Sequence, residues 1–359
     1  MKLIDWYIFR KFIGTFFFVL ALIMMIAIVF DISEKIEDFI SKGASMEEII
    51  FDYYLNFLAF YGNTFSSLIV FISTILFASR MTARTEIVAI LTSGVSFRRM
   101  MWPFFLGAVV IFGLNYYMSH YVIPKTNISR ITFENTYINN PSNSRFQNIY
   151  RQIRPGVIIY LENFNDERQS GYHFSMEKFN EGKLFYKLKA DFLRYDSVAN
   201  NWRLDNWEIR RIAENGAEEF SRGRQFDTTF SFQPDELVPK LYTVAMMETP
   251  VLEDFISAER VRGSSNINFY LVEKFRRTAY PASTFILVLI AVSLSTKKTR
   301  GGMGLNIAVG FFLCLIYVFL MQISTTFSTH AGIPPLLAVW LPNLIFAVIG
   351  LYLYIIAPK

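Results

Sequence analysis

Apolar residues in this chain fall into two kinds of run. Six are long and nearly continuous, at 12–30, 53–79, 101–123, 279–295, 305–327 and 336–356. A helix needs about 20 mainly apolar residues to cross the hydrocarbon of a bilayer, so each run predicts a membrane span, the fourth being the shortest. Between the third and fourth the pattern changes to alternation with a period of two. It runs through 157–161 after the turn at Pro155 and Gly156, then 172–179, 184–195, 202–212 and 218–230. Short alternating strands separated by Asn, Asp and Gly turns predict an antiparallel sandwich or barrel. A helical period returns over 249–261, with Leu252, Phe255 and Ile256 on one face. The polar stretch 124–278 is too long for a structureless loop. The expected organisation is therefore three spans in 1–123, a β domain with a helical connector in 124–278, and three spans in 279–359.

Charge orients this arrangement, because Lys and Arg accumulate in short cytoplasmic loops. Lys2, Arg10 and Lys11 precede the first span, and Arg80, Arg84, Arg98 and Arg99 join the second to the third. Lys297, Lys298 and Arg300 join the fourth to the fifth, and Lys359 follows the sixth. The loop after the first span carries Asp31, Glu34, Glu37, Asp38, Glu47, Glu48 and Asp52 against Lys35 and Lys42. Six spans place all the basic clusters on one side, so both termini are expected in the cytoplasm and the β domain outside it. The first apolar run is too long for a signal-peptide core and ends at Asp31 without a small-residue cleavage pattern, which predicts a retained anchor.

Composition agrees: 53% of residues are hydrophobic and 18% charged. The net charge of +5 comes from residues beside the spans and in the polar middle, so no nucleic-acid partner is expected. The single cysteine, Cys314, lies inside a span and permits neither an intramolecular disulfide nor a cysteine metal cluster. It leaves the redox compartment undetermined.

Catalytic signatures are missing. There is no GxxxxGK[ST] phosphate loop, so ATP hydrolysis by that route is excluded for this chain. Gly301, Gly302 and Gly304 read as a tight turn rather than a phosphate cradle. His120, His173 and His330 are far apart and form no zinc-binding pair. Ser66, Ser67, Ser324 and Ser328 have no partner base in the sequence and read as helix-packing residues. Asn56, Asn63, Thr64, Asn115, Gln322 and Asn343 read as hydrogen-bonding groups between spans. No catalytic residue, metal ligand or cofactor is assigned to the chain.

Two short segments carry candidate chemistry. In ARTEIVAILTSG, 83–94, the positions Ala83, Ile87, Ile90 and Leu91 follow helical spacing and Gly94 suits a C-terminal cap. This predicts a short amphipathic helix at the membrane surface. It is either a linker or a docking helix for a cytoplasmic motor, with Arg84 and Glu86 as polar contacts. In EKFRRTAYP, 273–281, Glu273 and Arg277 stand four apart, which suits an internal ion pair. The alternative is that Lys274, Arg276 or Arg277 faces anionic head groups, which guanidinium forks fit well.

The sequence resembles the LptF/LptG (YjgP/YjgQ) family of lipopolysaccharide-export permeases, over essentially the whole chain. Five patterns carry the resemblance: LIDWYIFRKFIGTF (3–16) leading to DISEKIEDF (31–39), ARTEIVAILTSGVSFRRMMWP (83–103), NIYRQIRPGVIIYLENF (148–164), EKFRRTAYP (273–281) and GIPPLLAVWLPN (332–343). The last of these and the chain length are closer to LptG than to LptF. The resemblance implies a membrane α + β fold, with six transmembrane helices (3+3) and an inserted periplasmic antiparallel β jelly roll. It implies a heterodimer with a second LptF/LptG-like permease on an LptB-like ATPase dimer, which binds the ATP. It also implies delivery of lipopolysaccharide from the inner membrane to LptC-like and LptA-like periplasmic proteins. By position, Glu86, with Arg84, Ile87, Ile90 and Leu91 around it, would meet the ATPase, and Lys35 and Arg277 would lie near lipid phosphates. The family often places several basic residues after the first span, whereas this chain has four acidic ones there with Lys35 and Lys42. Two other classes fit parts of the pattern. Six spans are more than a periplasmic sensor or scaffold needs, and a secondary transporter usually places ionisable residues or broken helices near mid-membrane, whereas these spans are nearly free of acidic residues at depth.

Overall fold

The computed structural model describes residues 3–138, 145–166, 168–213, 215–237, 243–264, 266–296 and 302–357. Lys2, Lys297, Lys298, Arg300, Gly301 and Lys359 lie outside the described residues. The chain forms two compact units, one of Met1–Ile138, Val244–Pro250 and Asn268–Lys359, the other of Asn139–Thr243 and Val251–Ile267.

In chain order the helices are α1 (Leu3–Ser41), α2 (Leu55–Thr64), α3 (Ser66–Ala83), α4 (Glu86–Thr92), α5 (Phe97–Tyr117) and α6 (Ile123–Phe133). Six strands follow: β1 (Arg145–Arg154), β2 (Val157–Asn165), β3 (Ser170–Asn180), β4 (Lys183–Asp196), β5 (Asn201–Ile212) and β6 (Glu218–Thr228). The chain ends with α7 (Pro234–Leu237), α8 (Thr249–Val261), α9 (Ile267–Ser295), α10 (Gly302–Ala331) and α11 (Pro335–Ile355). π-Helical stretches at Glu48–Tyr54 and Met118–Val122 lead into α2 and α6, and a third at Glu134–Ile138 prolongs α6 ahead of the strands.

Six helices among the described residues are long and apolar enough to cross a membrane, three before the strands and three after. The apolar windows of α3 and α9 are 67% and 61% buried, against 22% for both α1 and α10, so α3 and α9 form the centre of the helical unit. Hydroxyl groups tie this pair together. Ser67 donates to the Tyr280 carbonyl at 2.9 Å, Ser283 to Ser67 at 2.8 Å and Thr82 to the Ser295 carbonyl at 2.7 Å. Small hydroxyl side chains let two helix backbones approach closely while satisfying their own polar groups.

The helices extend beyond the apolar runs that announce them. α1 continues through DISEKIEDFIS to Ser41, and the third span continues as one helical run to Ile138. The fourth, shortest as an apolar run, is a 29-residue helix because the polar turns around EKFRR belong to it. The second span is kinked at Phe65, where α2 gives way to α3. Just before the kink the Thr64 hydroxyl donates to the Phe60 carbonyl and Asn63 reaches across to Ser119, both at 2.8 Å. Competition of a side chain such as Thr64 for a backbone acceptor bends helices. Residues 124–138 and 268–278, read from sequence as part of the β domain, accordingly fall in the helical unit.

The second unit is a single antiparallel sheet whose strands pair in chain order, β1 to β6. Its inner face buries Ile159, Leu161, Phe174, Met176, Leu188, Ala190, Trp202 and Leu204. The segment after β6 returns across that face. Phe230 and Phe232 stack on each other and pack on Phe174, and the Trp202 indole N–H donates to the Phe232 carbonyl at 3.2 Å. α8 turns Leu252 and Ile256 inward, as its sequence period predicts. Its Glu259 is buried against Arg151 at 3.2 Å.

One line of residues crosses the whole sheet outside the pairing register: Asn148, Glu162, His173, Asp191, Asn206 and Arg224. Asn148, His173 and Asn206, on alternate strands, are left-handed, with φ of 53°, 54° and 53°. An unpaired, left-handed residue bends its strand, and aligning three of them creases the sheet. Buried positions on either side of the line are three apart rather than two, as in Leu161 and Phe164 or Ala190 and Leu193, so one face stays inside through the bend. The jelly roll implied by the resemblance thus takes the form of a meander bent over its own core, with no crossover connection among the described strands.

Gly171 shows how tight the bend is. A Cβ there would lie 2.6 Å from the Asn163 carbonyl oxygen and 2.8 Å from Leu161. Since a ladder carbonyl cannot rotate away, Gly171→Ala is expected to cost about 1–3 kcal/mol. Thermal unfolding of the full chain in detergent measures this, and an unchanged midpoint would contradict it.

Candidate coupling helix and head-group cluster

The segment 83–94 does not form one helix. α3 ends at Ala83, Thr85 takes a left-handed conformation with φ of 60°, and α4 starts afresh at Glu86. The seven-residue helix closes at Gly94, whose φ of +88° suits the cap position expected of it. Its apolar side is spent on the chain's own core. Ile87 is fully buried, and Ile90 and Leu91 pack part-buried on the same cluster as Ile8, Met81 and Phe97. Ile87 is therefore no contact for a partner, contrary to its place in the sequence-derived set. The outward face presents Arg84, Thr85, Val88, Ala89 and Thr92. Glu86 stands at the edge of that face, accepting from the Tyr7 hydroxyl at 3.3 Å with Arg84 at 4.0 Å. Arg99 pairs with Asp5 at 2.5 Å, so the starts of α1, α4 and α5 gather at one end of the unit.

The head-group candidates divide. Arg277 is 5% exposed and works as a strut. It donates to the Met247 carbonyl at 2.8 Å, the Val244 carbonyl at 2.9 Å and the Thr249 hydroxyl at 3.2 Å, with Glu273 at 3.5 Å. Arg276 pairs closely with the same Glu273 and lies over the Tyr280 ring. Both arginines line a cavity of about 70 Å³ with Asn63, Ser119 and Asn127. That volume holds a few waters rather than a lipid head group. Lys274 does not line this cavity. Lys35 is elsewhere, 2.6 Å from Asp31 and 2.5 Å from the Tyr53 hydroxyl, and Asp31 also accepts from Tyr54 at 3.2 Å. Of the four acidic residues noted after the first span, Asp31 is accounted for here as the counter-ion of Lys35.

Other residues of this end carried weaker sequence signals. Arg130 is 7% exposed, bonded to Asn127 at 3.2 Å and Glu134 at 2.6 Å, and lies over the Phe60 ring. Its i, i+4 spacing from Glu134 was the available clue. Ser45 and Glu48 form a reciprocal cap ahead of the π-helical stretch. The hydroxyl of Ser45, and then its backbone N–H, hold the Glu48 carboxyl below the usual carboxylate range.

The span serines and amides behave as packing groups. Ser66 accepts from Asn115 at 2.6 Å, Ser324 donates to the Ala338 carbonyl at 2.5 Å and Ser328 to the Ile333 carbonyl at 2.9 Å. Asn343 donates to the Ala279 carbonyl at 2.8 Å, whereas Asn56 and Thr64 bond to preceding carbonyls of their own helical run. Among the described residues no three His, Cys, Asp or Glu side chains converge on a metal-sized site.

Residues 6–356 match the model of a family described as "Lipopolysaccharide export system permease LptF/LptG". The match does not separate LptF from LptG. Among curated proteins none matches the chain.

Proposed function

This chain belongs to the LptF/LptG family of lipopolysaccharide export permeases, and from that premise we propose that it is one half of an ATP-driven extractor of lipopolysaccharide. A separate LptB-like ATPase dimer binds and hydrolyses the ATP, and a second LptF/LptG-like permease supplies the other half. The termini and α4 face the cytoplasm, and the β unit faces the periplasm. The apolar faces that α10 and the later turns of α1, around Leu22, Met25 and Val29, leave uncovered meet the partner permease and the lipid. The lipid then passes along the bent sheet to LptC-like and LptA-like proteins, through strand pairing at the edge of β6. Gln152 of β1 is hydrogen-bonded to the Arg262 carbonyl, which makes β6 the more open edge.

One observation carries this reading. α4 is separated from α3 by a strained Thr85, seated on the core by Ile87, and turned outward through Arg84, Val88, Ala89 and Thr92. A rigidly seated helix with an exposed mixed face suits transmission of force from a motor to the spans. Affinity purification in mild detergent is expected to bring down an ABC-type ATPase and a second six-span protein. Depletion of the chain is expected to stop radiolabelled lipopolysaccharide from reaching the outer membrane. Purification of the chain alone, or normal arrival of the lipid with no second copy present, would overturn the proposal.

A further inference from the structure

A separate cleft opens on the helical unit near the start of α1. It measures about 730 Å³ and is walled by α1 and the last turn of α3. On α1 the lining positions Leu3, Tyr7, Lys11, Gly14 and Phe18 recur at helical spacing, so one face of the helix builds one wall. Three cations converge there: Arg10 and Lys11 from α1, and Arg80 from α3. No described carboxylate neutralises them. Nearby Asp5 is paired to Arg99, and Glu86 is held by Tyr7 with Arg84 beside it.

Basic residues flanking spans ordinarily splay into water or snorkel, each alone. Here they share a concave site with an apolar and aromatic wall. Trp6 and Phe18 line it, 53% and 68% exposed. Gly14 leaves the floor open, with nothing within 4 Å of where a Cβ would stand. The combination is a cationic rim for a phosphate above an apolar slot for acyl chain. Guanidinium groups match phosphate oxygens in pairs, and tryptophan and tyrosine settle at the level of lipid head groups.

We propose that this cleft binds the phosphate of an anionic glycerophospholipid, such as phosphatidylglycerol, with Arg10, Lys11 and Arg80 as its ligands. The assignment of the lipid to the inner leaflet rests on the orientation given under the proposed function. The site lies at the start of α1, away from the arginines of α9, and its lipid is a fixed partner of the permease rather than its cargo. A free phosphate ion would use the cations but not the apolar wall, and the proposal commits to the lipid.

Native mass spectrometry of the intact complex in detergent tests it, using phosphatidylglycerol and phosphatidylcholine of the same acyl chains as probes. Phosphatidylglycerol is expected to bind about a hundredfold more tightly, each cation beside an anionic lipid contributing about a factor of five. R10Q/K11Q/R80Q should erase the preference. Gly14→Leu, at a position where a Cβ meets nothing within 4 Å, should weaken binding of both lipids by filling the floor, with an unchanged unfolding midpoint. Inorganic phosphate should not displace the lipid. Equal affinity for the two lipids, an unchanged preference in the triple variant, or displacement by inorganic phosphate would overturn the proposal. So would loss of the second permease from the triple variant with lipid binding intact, because the cleft would then be a protein interface. A cysteine placed at Arg10 and labelled with a membrane-impermeant reagent keeps the two readings apart. Labelling from outside the cell would overturn the orientation, whereas an inward-facing Arg10 without lipid preference would overturn only the site.

Discussion

Replacement of Arg277 by methionine should lower the unfolding midpoint of the full chain in detergent by about 5–10 °C, the equivalent of about 3–5 kcal/mol. The reason is the set of acceptors it serves. Two carbonyls, a hydroxyl and a carboxylate converge on one guanidinium that is 5% exposed. Methionine fills the volume of the side-chain stem but strips the Met247 and Val244 carbonyls of this donor, while Glu273 keeps Arg276 and Thr249 keeps His120. Lysine should rescue little, because one ammonium cannot imitate a planar fork that reaches Val244 and Met247 at once. A residue kept to hold a lipid phosphate behaves in the opposite way. Its loss would spare stability and impair lipid movement, and lysine would restore much of the charge. Thermal unfolding of R277M and R277K, beside lipopolysaccharide arrival at the outer membrane, separates the two roles. A midpoint unchanged in both variants would refute the strut.

The sequence left this cluster open between an internal ion pair and a head-group site, and the structure shows why. The Glu273–Arg277 spacing is legible and the pair is present. The stronger ligands are backbone carbonyls 30 and 33 residues earlier, and no residue type announces a carbonyl as a ligand. Lys35 repeats the lesson. Its i, i+4 partner Asp31 could be read directly, but Tyr53 arrives from another helical run across the acidic loop.

The fold was legible wherever hydrophobicity has one reason to exist. Continuous apolar runs marked all six spans, yet they understated the helices, because turns outside the hydrocarbon need no apolar residues to remain helical. Strand alternation marked β2 to β6. β1 escaped, being an edge strand with Arg151 buried against Glu259 in place of an apolar side chain. The crease was written as apolar pairs three apart, in LENF, GYHF, ADFL and LDNW. Each looks like a local lapse in alternation. Only the strand register, which no single segment encodes, reveals that four lapses fall on one line.

Val88→Asp should detach the proposed ATPase while leaving the chain folded. Val88 is 42% exposed on the outward face of α4, whereas its neighbour Ile87 is fully buried in the helical core. A carboxylate at Val88 is harmless in water but would be trapped without a partner in a closed interface. That costs about 3 kcal/mol or more, or about a hundredfold in affinity. Co-purification with the ATPase should therefore fall below detection with an unchanged unfolding midpoint. Ile87→Ala should do the reverse, losing about 2–5 kcal/mol of stability to a core cavity. Any ATPase still bound to it would be bound by the folded fraction. Glu86→Gln falls between them, keeping the hydrogen bond from Tyr7 while removing the charge that faces Arg84. The contrast matters because a mere linker helix would tolerate Val88→Asp completely. Full ATPase recovery with that variant would leave α4 as a connector and require the force to enter the spans elsewhere.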